Sequence, residues 1–200
     1  MAAPPNDTRD RIAQAAGELF RRQGYSATGL QQIAAASQAR IGSIYHFFPN
    51  KDALAEAVIR AGGAAYGAMV LALLEHGPDD PVEALGAAFA RAADDLAATG
   101  YADACPIATI ALEVASTNEP LRRATAEVFT AWTDGLAAWC ARFVADPEGA
   151  RDLATAILTS LEGAFMLSRA LRDPGPLLAA GRSVTRLATA MRTDPAGTPP

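Results

Sequence analysis

The sequence predicts an all-α protein of about nine helices, and three observations carry that prediction. Alanine and leucine abound, no stretch alternates apolar with polar residues as a half-buried strand does, and proline and glycine recur at intervals that mark off helix-length segments. Half of the 200 residues are apolar and a fifth are charged, the balance of a globular chain rather than a disordered one.

Thr8 to Gln23 reads as the first helix. Ile12, Ala15, Ala16, Leu19 and Phe20 recur at three-to-four spacing and give it one apolar face. Gly24 follows as a natural terminator, since it closes a last turn with left-handed backbone at no steric cost. Thr28 is placed to cap a second helix, Gly29 to Ala36, whose inward residues are Leu30, Ile33 and Ala34. A turn over Ser37–Ala39 leads into a third helix, Arg40 to Phe47.

Pro49 breaks the chain, and Asn50 caps a long fourth helix from Lys51 to about Glu75. Gly62, Gly63 and Gly67 lower its propensity, and His76-Gly77-Pro78 closes it. Later helices are bounded by Pro81, Gly100, Pro106, Asn118-Glu119-Pro120, Asp146-Pro147-Glu148-Gly149 and Asp173-Pro174-Gly175-Pro176. The last covers Leu177 to Arg192, and residues 194–200 form a Pro/Gly tail expected to be disordered. No internal repeat is present.

The net charge of −5 divides unevenly. Residues 1–60 hold seven cations against five anions, a net +2, while the remaining 140 residues carry −7. The positive end is where two short helices flank a tight turn, and attraction to phosphates needs a local positive face rather than a basic whole protein. Two cysteines, Cys105 and Cys140, are too few for a secreted disulfide scaffold and point to a reducing compartment, although spacing leaves a bond between them open. His46 and His76 are too few for a zinc site, so no metal is expected. No uninterrupted apolar run reaches the ~18 residues of a membrane span, and residues 1–8 lack the apolar core of a signal peptide, so no leader is expected. The expectation is a cytoplasmic protein without a membrane role. There is no Ser/His/Asp set, phosphate-cradling glycine loop or metal constellation, so neither an enzyme nor a cofactor is expected.

The second and third helices with their turn form a helix-turn-helix, in which the third helix lies in the major groove and offers its N-terminal residues to base edges. Gly42 and Ser43 are small enough for close backbone approach, and Arg40 can reach a guanine edge or a phosphate. Tyr45 and His46, one turn on, suit phosphate or thymine-methyl contacts. Thr28 and Lys51 each open a helix, where free N–H groups and the helix dipole favour a phosphate. The bland alternative, a solvated helix face, would use the same side chains. Phe47 and Phe48 are expected in the core with Phe20 and Tyr25.

These residues carry a resemblance to the TetR family of bacterial repressors. It spans about Arg9 to Leu54 and rests on Leu19-Phe20, Gly24-Tyr25, Thr28, Ile33-Ala34, Gly42-Ser43-Ile44-Tyr45-His46-Phe47-Phe48 and Asn50-Lys51. Arg40 and Ile41 depart from the pattern, standing where the family has a Ser, Thr or Pro followed by a basic residue. Further on, Ala104-Cys105-Pro106-Ile107, Ala111-Leu112-Glu113 and Glu119-Pro120-Leu121-Arg122 look like the C-terminal domain of the lincomycin-resistance repressor branch, with Ala104 in place of a glycine.

The resemblance implies a DNA-binding domain over residues 1–50 and a helical ligand-binding and dimerisation domain over 51–193. It implies a homodimer on a palindromic double-stranded operator, released by a small hydrophobic or amphipathic inducer. The family's C-terminal domain encloses a cavity that aromatics often line, and the candidates are Tyr66, Met69, Phe89, Tyr101, Cys105, Trp132, Phe165 and Met166, each of which could equally be core. By the same resemblance, the stripe Ala154, Ile157, Leu158, Leu161, Ala164, Phe165 and Leu167 and the stripe Leu177, Leu178, Val184, Leu187 and Met191 pair with their copies in a dimer. The alternative mechanism is a redox-sensing regulator switched at Cys105, because a thiol at a helix N-terminus can have a lowered pKa.

Overall fold

A computed structural model describes residues 7–103 and 105–193. Among these, nine helices and no strand are found: α1 (Asp7–Gln23), α2 (Leu30–Ala36), α3 (Ile41–Phe47), α4 (Lys51–Glu75), α5 (Pro81–Ala98), α6 (Pro106–Val114), α7 (Glu119–Cys140), α8 (Pro147–Leu171) and α9 (Gly175–Met191). The all-α expectation holds, and each proline and glycine boundary falls at a helix end. The expected tail at 194–200 lies outside the described residues.

The chain divides into two compact units, Met1–Ala65 with Cys105–Val128 and Tyr66–Ala104 with Phe129–Pro200. The sequence expectation instead drew its boundary at residue 50. Residues 105–128 were not expected beside the N-terminal helices, since nothing in local pattern reports a pairing that distant in sequence. Helices α4 and α7 each run from one unit into the other.

In the first unit α1 buries Ile12, Ala15, Ala16 and Phe20, while Leu19 is only half-buried. Removing a side chain such as Phe20 from water contributes about 1.5–3 kcal/mol. The helix packs against α2, α3 and α6. Ile33 and Ile44 are the buried anchors of α2 and α3, and Leu54, Ala55 and Ile59 those of α4. Asn50 caps α4, its Oδ1 accepting from the Ala53 N–H at 2.8 Å. Where α4 meets α7 in this unit, a Cβ on Gly63 would lie 2.6 Å from a Val128 methyl, so the helices approach more closely than an alanine would allow.

The second unit is built on Leu85, Phe89 and Leu96 of α5, Trp139 of α7, Leu153, Ile157 and Phe165 of α8, and Leu177 and Val184 of α9. Helix α9 lies against α5 and α8, and it meets α5 where Gly181 faces the Phe89 ring. Asp80 caps α5 through the Val82 and Glu83 N–H groups and also pairs with Arg192 at 2.5 Å. Asp146 caps α8 through the Gly149 N–H at 2.9 Å.

Composition sets one helix apart. An 18-residue window of α4 has a mean hydropathy of 1.7, so by length and composition this helix is apolar enough to cross a membrane, alone among the described residues. Arg60 interrupts the apolar run and hid this in the sequence, while the surrounding Ala, Val and Leu keep the mean high.

Candidate nucleic-acid interface

Helix α3, the expected reading helix, is short, and one residue, Ile44, anchors it in the core. The turn before it is tight. Gln38 adopts a left-handed φ of 53°, Ser37 donates its hydroxyl to the Ile33 carbonyl at 2.7 Å, and the Ala39 N–H returns to the Ala34 carbonyl. With Ile44 turned inward, the opposite face carries Ile41, Gly42, Tyr45 and His46, all exposed, with Arg40 exposed at its start and Ser43 half-buried. Tyr45 is 55% exposed and Ile41 is 38% exposed, so two large side chains lie open to solvent on this face. A Cβ built on Gly42 would meet nothing within 4 Å. The fold itself therefore gives no steric reason for a glycine there.

Thr28 is not the cap of α2. It is 1% exposed, and its hydroxyl donates back to the Gly24 carbonyl at 2.7 Å while accepting from the Gln23 side chain at 3.1 Å. Gly29 takes the cap position in extended conformation, and Gln32 Oε1 accepts its N–H at 2.8 Å. The hydroxyl closes the end of α1 instead of opening α2, which leaves it buried rather than facing a phosphate. Arg40 occupies the cap position of α3 without a side-chain hydrogen bond there. Phe48 is buried as expected, with the Arg9 guanidinium 5.1 Å from its ring centroid, but Phe47 is half-buried, its ring edge-on to His46.

Lys51 is turned toward the protein. Its Nζ lies 4.1 Å from the Tyr25 ring centroid, and burial lowers its pKa against the opposing pull of Glu113 and Asp52. Around Tyr25 sits a polar cluster that the sequence reading did not find. Glu113 Oε1 accepts from the Tyr25 N–H at 2.9 Å and Oε2 from the Ser26 N–H at 2.8 Å. Asp52 accepts from the Tyr25 hydroxyl and from the Asn118 amide, the latter at 2.8 Å. Burial works to raise the Glu113 pKa, but the Ser26 and Tyr25 bonds and nearby Lys51 outweigh it and hold the carboxyl below its ordinary value. Burial and the bond to Asp52 raise the Tyr25 phenol. The sequence marked Tyr25, Lys51 and Glu113 separately, as parts of family-like segments, with nothing to join them in one cluster.

The expected ligand-pocket residues are only partly brought together. In the second unit Tyr66 lies tilted and Phe129 edge-on against Trp132, with centroids 5.4 and 5.6 Å away. Phe89 and Phe165 are buried in the core. Met166 is 59% exposed and points away from that core. Tyr101 is half-buried at a left-handed turn, and Cys105 belongs to the first unit. An open groove of about 520 Å³ runs between α4 and α5, lined by Met69, Leu73, His76, Ala88 and Arg91 among others, so Met69 alone of the eight candidates borders it. Cys105 and Cys140 are both buried thiols, and no disulfide joins them. Burial pushes the Cys140 thiol up to about 12. Cys105 Sγ accepts from the Ala108 N–H at 3.4 Å and so caps α6.

Comparison with known proteins adds to this geometry. Residues 12–58 match the family described as bacterial regulatory proteins, tetR family, and residues 81–183 match the C-terminal domain of LmrA/YxaF-like transcriptional regulators. The HTH-type transcriptional regulator YxaF of Bacillus subtilis is 38% identical over 86% of this chain and 90% of its own. The LmrA regulator of the same organism is 31% identical, covering 86% and 92%. A regulatory protein TetR from Rhodobacter sphaeroides superposes with a TM-score of 0.80 at 23% identity, over 90% of this chain and 98% of its own, which speaks to the fold alone.

Proposed function

This chain belongs to the TetR family of bacterial transcriptional regulators, with an LmrA/YxaF-like C-terminal domain, and from that premise we propose that it is a repressor that binds a palindromic operator as a homodimer and leaves it when a small apolar or amphipathic inducer binds. It is a regulator rather than an enzyme. DNA contact falls to the exposed face of α3, with Arg40, Ser43, Tyr45 and His46 around the unencumbered backbone of Gly42.

The observation that carries the reading is Gly42. A glycine in a helix costs up to about 1 kcal/mol relative to alanine, and among the described residues no neighbour requires one at position 42. A duplex approaching the backbone would.

Dimerisation draws on a second feature. Met166, Leu167 and Leu171 of α8 and Leu178 and Leu187 of α9 are exposed, and Gly163 has open space beside it. A second copy on this surface would bury them, and a dimer reading a palindrome needs two α3 helices about one DNA turn apart. The inducer would bind better to a conformer in which that spacing is lost, weakening DNA binding by a coupling free energy of about 1–3 kcal/mol. Its site draws on the apolar and aromatic side chains of the second unit, and α4 is the continuous chain from there to the reading module. The protein would act in the cytoplasm, where its DNA is. A thiol switch at Cys105 is less favoured, because that sulfur is 1% exposed and already caps α6.

Selection of sheared genomic DNA by the purified chain, at about physiological salt, tests this function. One shared palindrome among the recovered fragments supports it. Uniform recovery without a motif reduces binding to non-specific phosphate contact and rejects it.

A further inference from the structure

The turn between α1 and α2 is held from far away in sequence. Glu113, in the last turn of α6, spans 88 residues to grip two successive backbone N–H groups, one with each carboxylate oxygen. The grip is close. At Gly24, whose φ is +89°, a Cβ would come 2.2 Å from Glu113 Oε1, so the glycine is needed for the carboxylate as well as for the backbone. A second attachment lies beside it, where Asn118, just before α7, donates to Asp52 at the start of α4, and Asp52 in turn accepts from the Tyr25 hydroxyl. Lys51 sits over the same ring. Tyr25 is thus fixed by backbone, hydroxyl and ring, and two of those three attachments trace back to residues 113 and 118.

We propose that Glu113 and Asn118 form a latch that holds the DNA-reading module in its operator-binding arrangement, and that operator release proceeds by withdrawing the Glu113 carboxylate from the Tyr25 and Ser26 N–H groups. This rests on the reading of the chain as an operator-binding regulator. Apolar contact between α1 and α6 tolerates small slides, because it is non-directional. Charge-assisted hydrogen bonds do not, since they weaken steeply with misalignment. The latch therefore converts a small displacement of α6 into a discrete loss of hold on α1 and α2. Unlatched, the module populates its reading orientation for only part of the time, and apparent operator affinity falls by that fraction. Glu113 touches no DNA in this scheme and acts as a positioning residue.

The test uses the full chain and its Glu113→Ala, Glu113→Gln and Asn118→Ala variants. Amide hydrogen exchange is read at Tyr25 and Ser26 without DNA. Affinities are then measured at fixed salt for the operator recovered by genomic selection and for an unrelated duplex. Faster exchange at both amides is expected in the Glu113 variants, with a cooperative melt retained. Operator affinity should fall by roughly 5- to 150-fold, the usual range of such coupling, with glutamine milder than alanine because it keeps one acceptor. Binding to the unrelated duplex should not change. Glutamine and the Asn118 variant keep the test open if Glu113→Ala fails to fold. Unaccelerated amides would overturn the latch, and so would wild-type operator affinity despite faster exchange, or equal losses on both duplexes. A wild-type chain that selects no operator overturns the regulator reading and the latch's role with it. The exchange data, taken without DNA, distinguish that failure from a missing clamp.

Discussion

Gly42 sits in a helix that would be more stable with alanine in its place, and among the described residues nothing forbids the extra methyl. Gly42→Ala should therefore raise stability by about 1 kcal/mol, or about 2–4 °C in melting temperature for a chain of this size, while weakening operator binding. A variant that gains stability and keeps full operator affinity would mean that no duplex approaches this backbone. Glu113 makes a different kind of prediction at the same scale. Its pKa is held below the ordinary 4.5, so its contribution to stability is fully present above that value and drains away as pH falls through the folded-state value. Glu113→Gln should melt a few degrees below wild type near neutral pH, with the gap closing below about pH 4.5 as the wild-type carboxyl protonates. Lys51 faces this carboxylate, and both Lys51 and Asp52, which also acts on Lys51, are common to both chains, so the difference isolates residue 113. A gap that does not change with pH would remove the charge from the explanation.

Elements were legible wherever a physical stop marks them. Asp146-Pro147 opens α8 because aspartate covers a free N–H while proline lacks one that would need covering. Asp146→Ala should accordingly cost about 0.5–2 kcal/mol, seen as a melting temperature lower by several degrees at most, and an unchanged melt would deny the cap. Where one side chain has two possible partners, sequence could not choose. Thr28 has the right chemistry to cap α2, yet its hydroxyl points back to Gly24, and only the three-dimensional turn decides between the two. Glu113 shows the stronger limit, since its partners lie 88 and 87 residues away and no local pattern reports such pairing. The pocket candidates were underdetermined for another reason. Phe89 and Trp132 have the same hydrophobic character in a core as in a cavity wall, so periodicity alone cannot sort them.

For the whole molecule, charge and exposed apolar area point to its two surfaces. A chain of net charge −5 carries its positive excess in residues 1–60, with α3 among them. Leu167 and Leu171 leave 50% and 65% of their surface exposed on α8, which costs free energy unless a second copy covers them. Leu167→Glu with Leu171→Glu should convert a dimer to a folded monomer in sedimentation and weaken operator binding, because a single module reads half a site. A double variant that sediments as wild type would place the dimer elsewhere. The central claim remains that α3 reads bases, and the most direct measurement compares wild type with Tyr45→Ala on the selected operator at fixed salt. Tyr45 is 55% exposed, so the variant should melt as wild type does. It should bind the operator about ten-fold more weakly, in keeping with the ~1–3 kcal/mol of a good base contact. Equal affinity from a folded Tyr45→Ala chain would contradict the assignment of α3 as the reading helix.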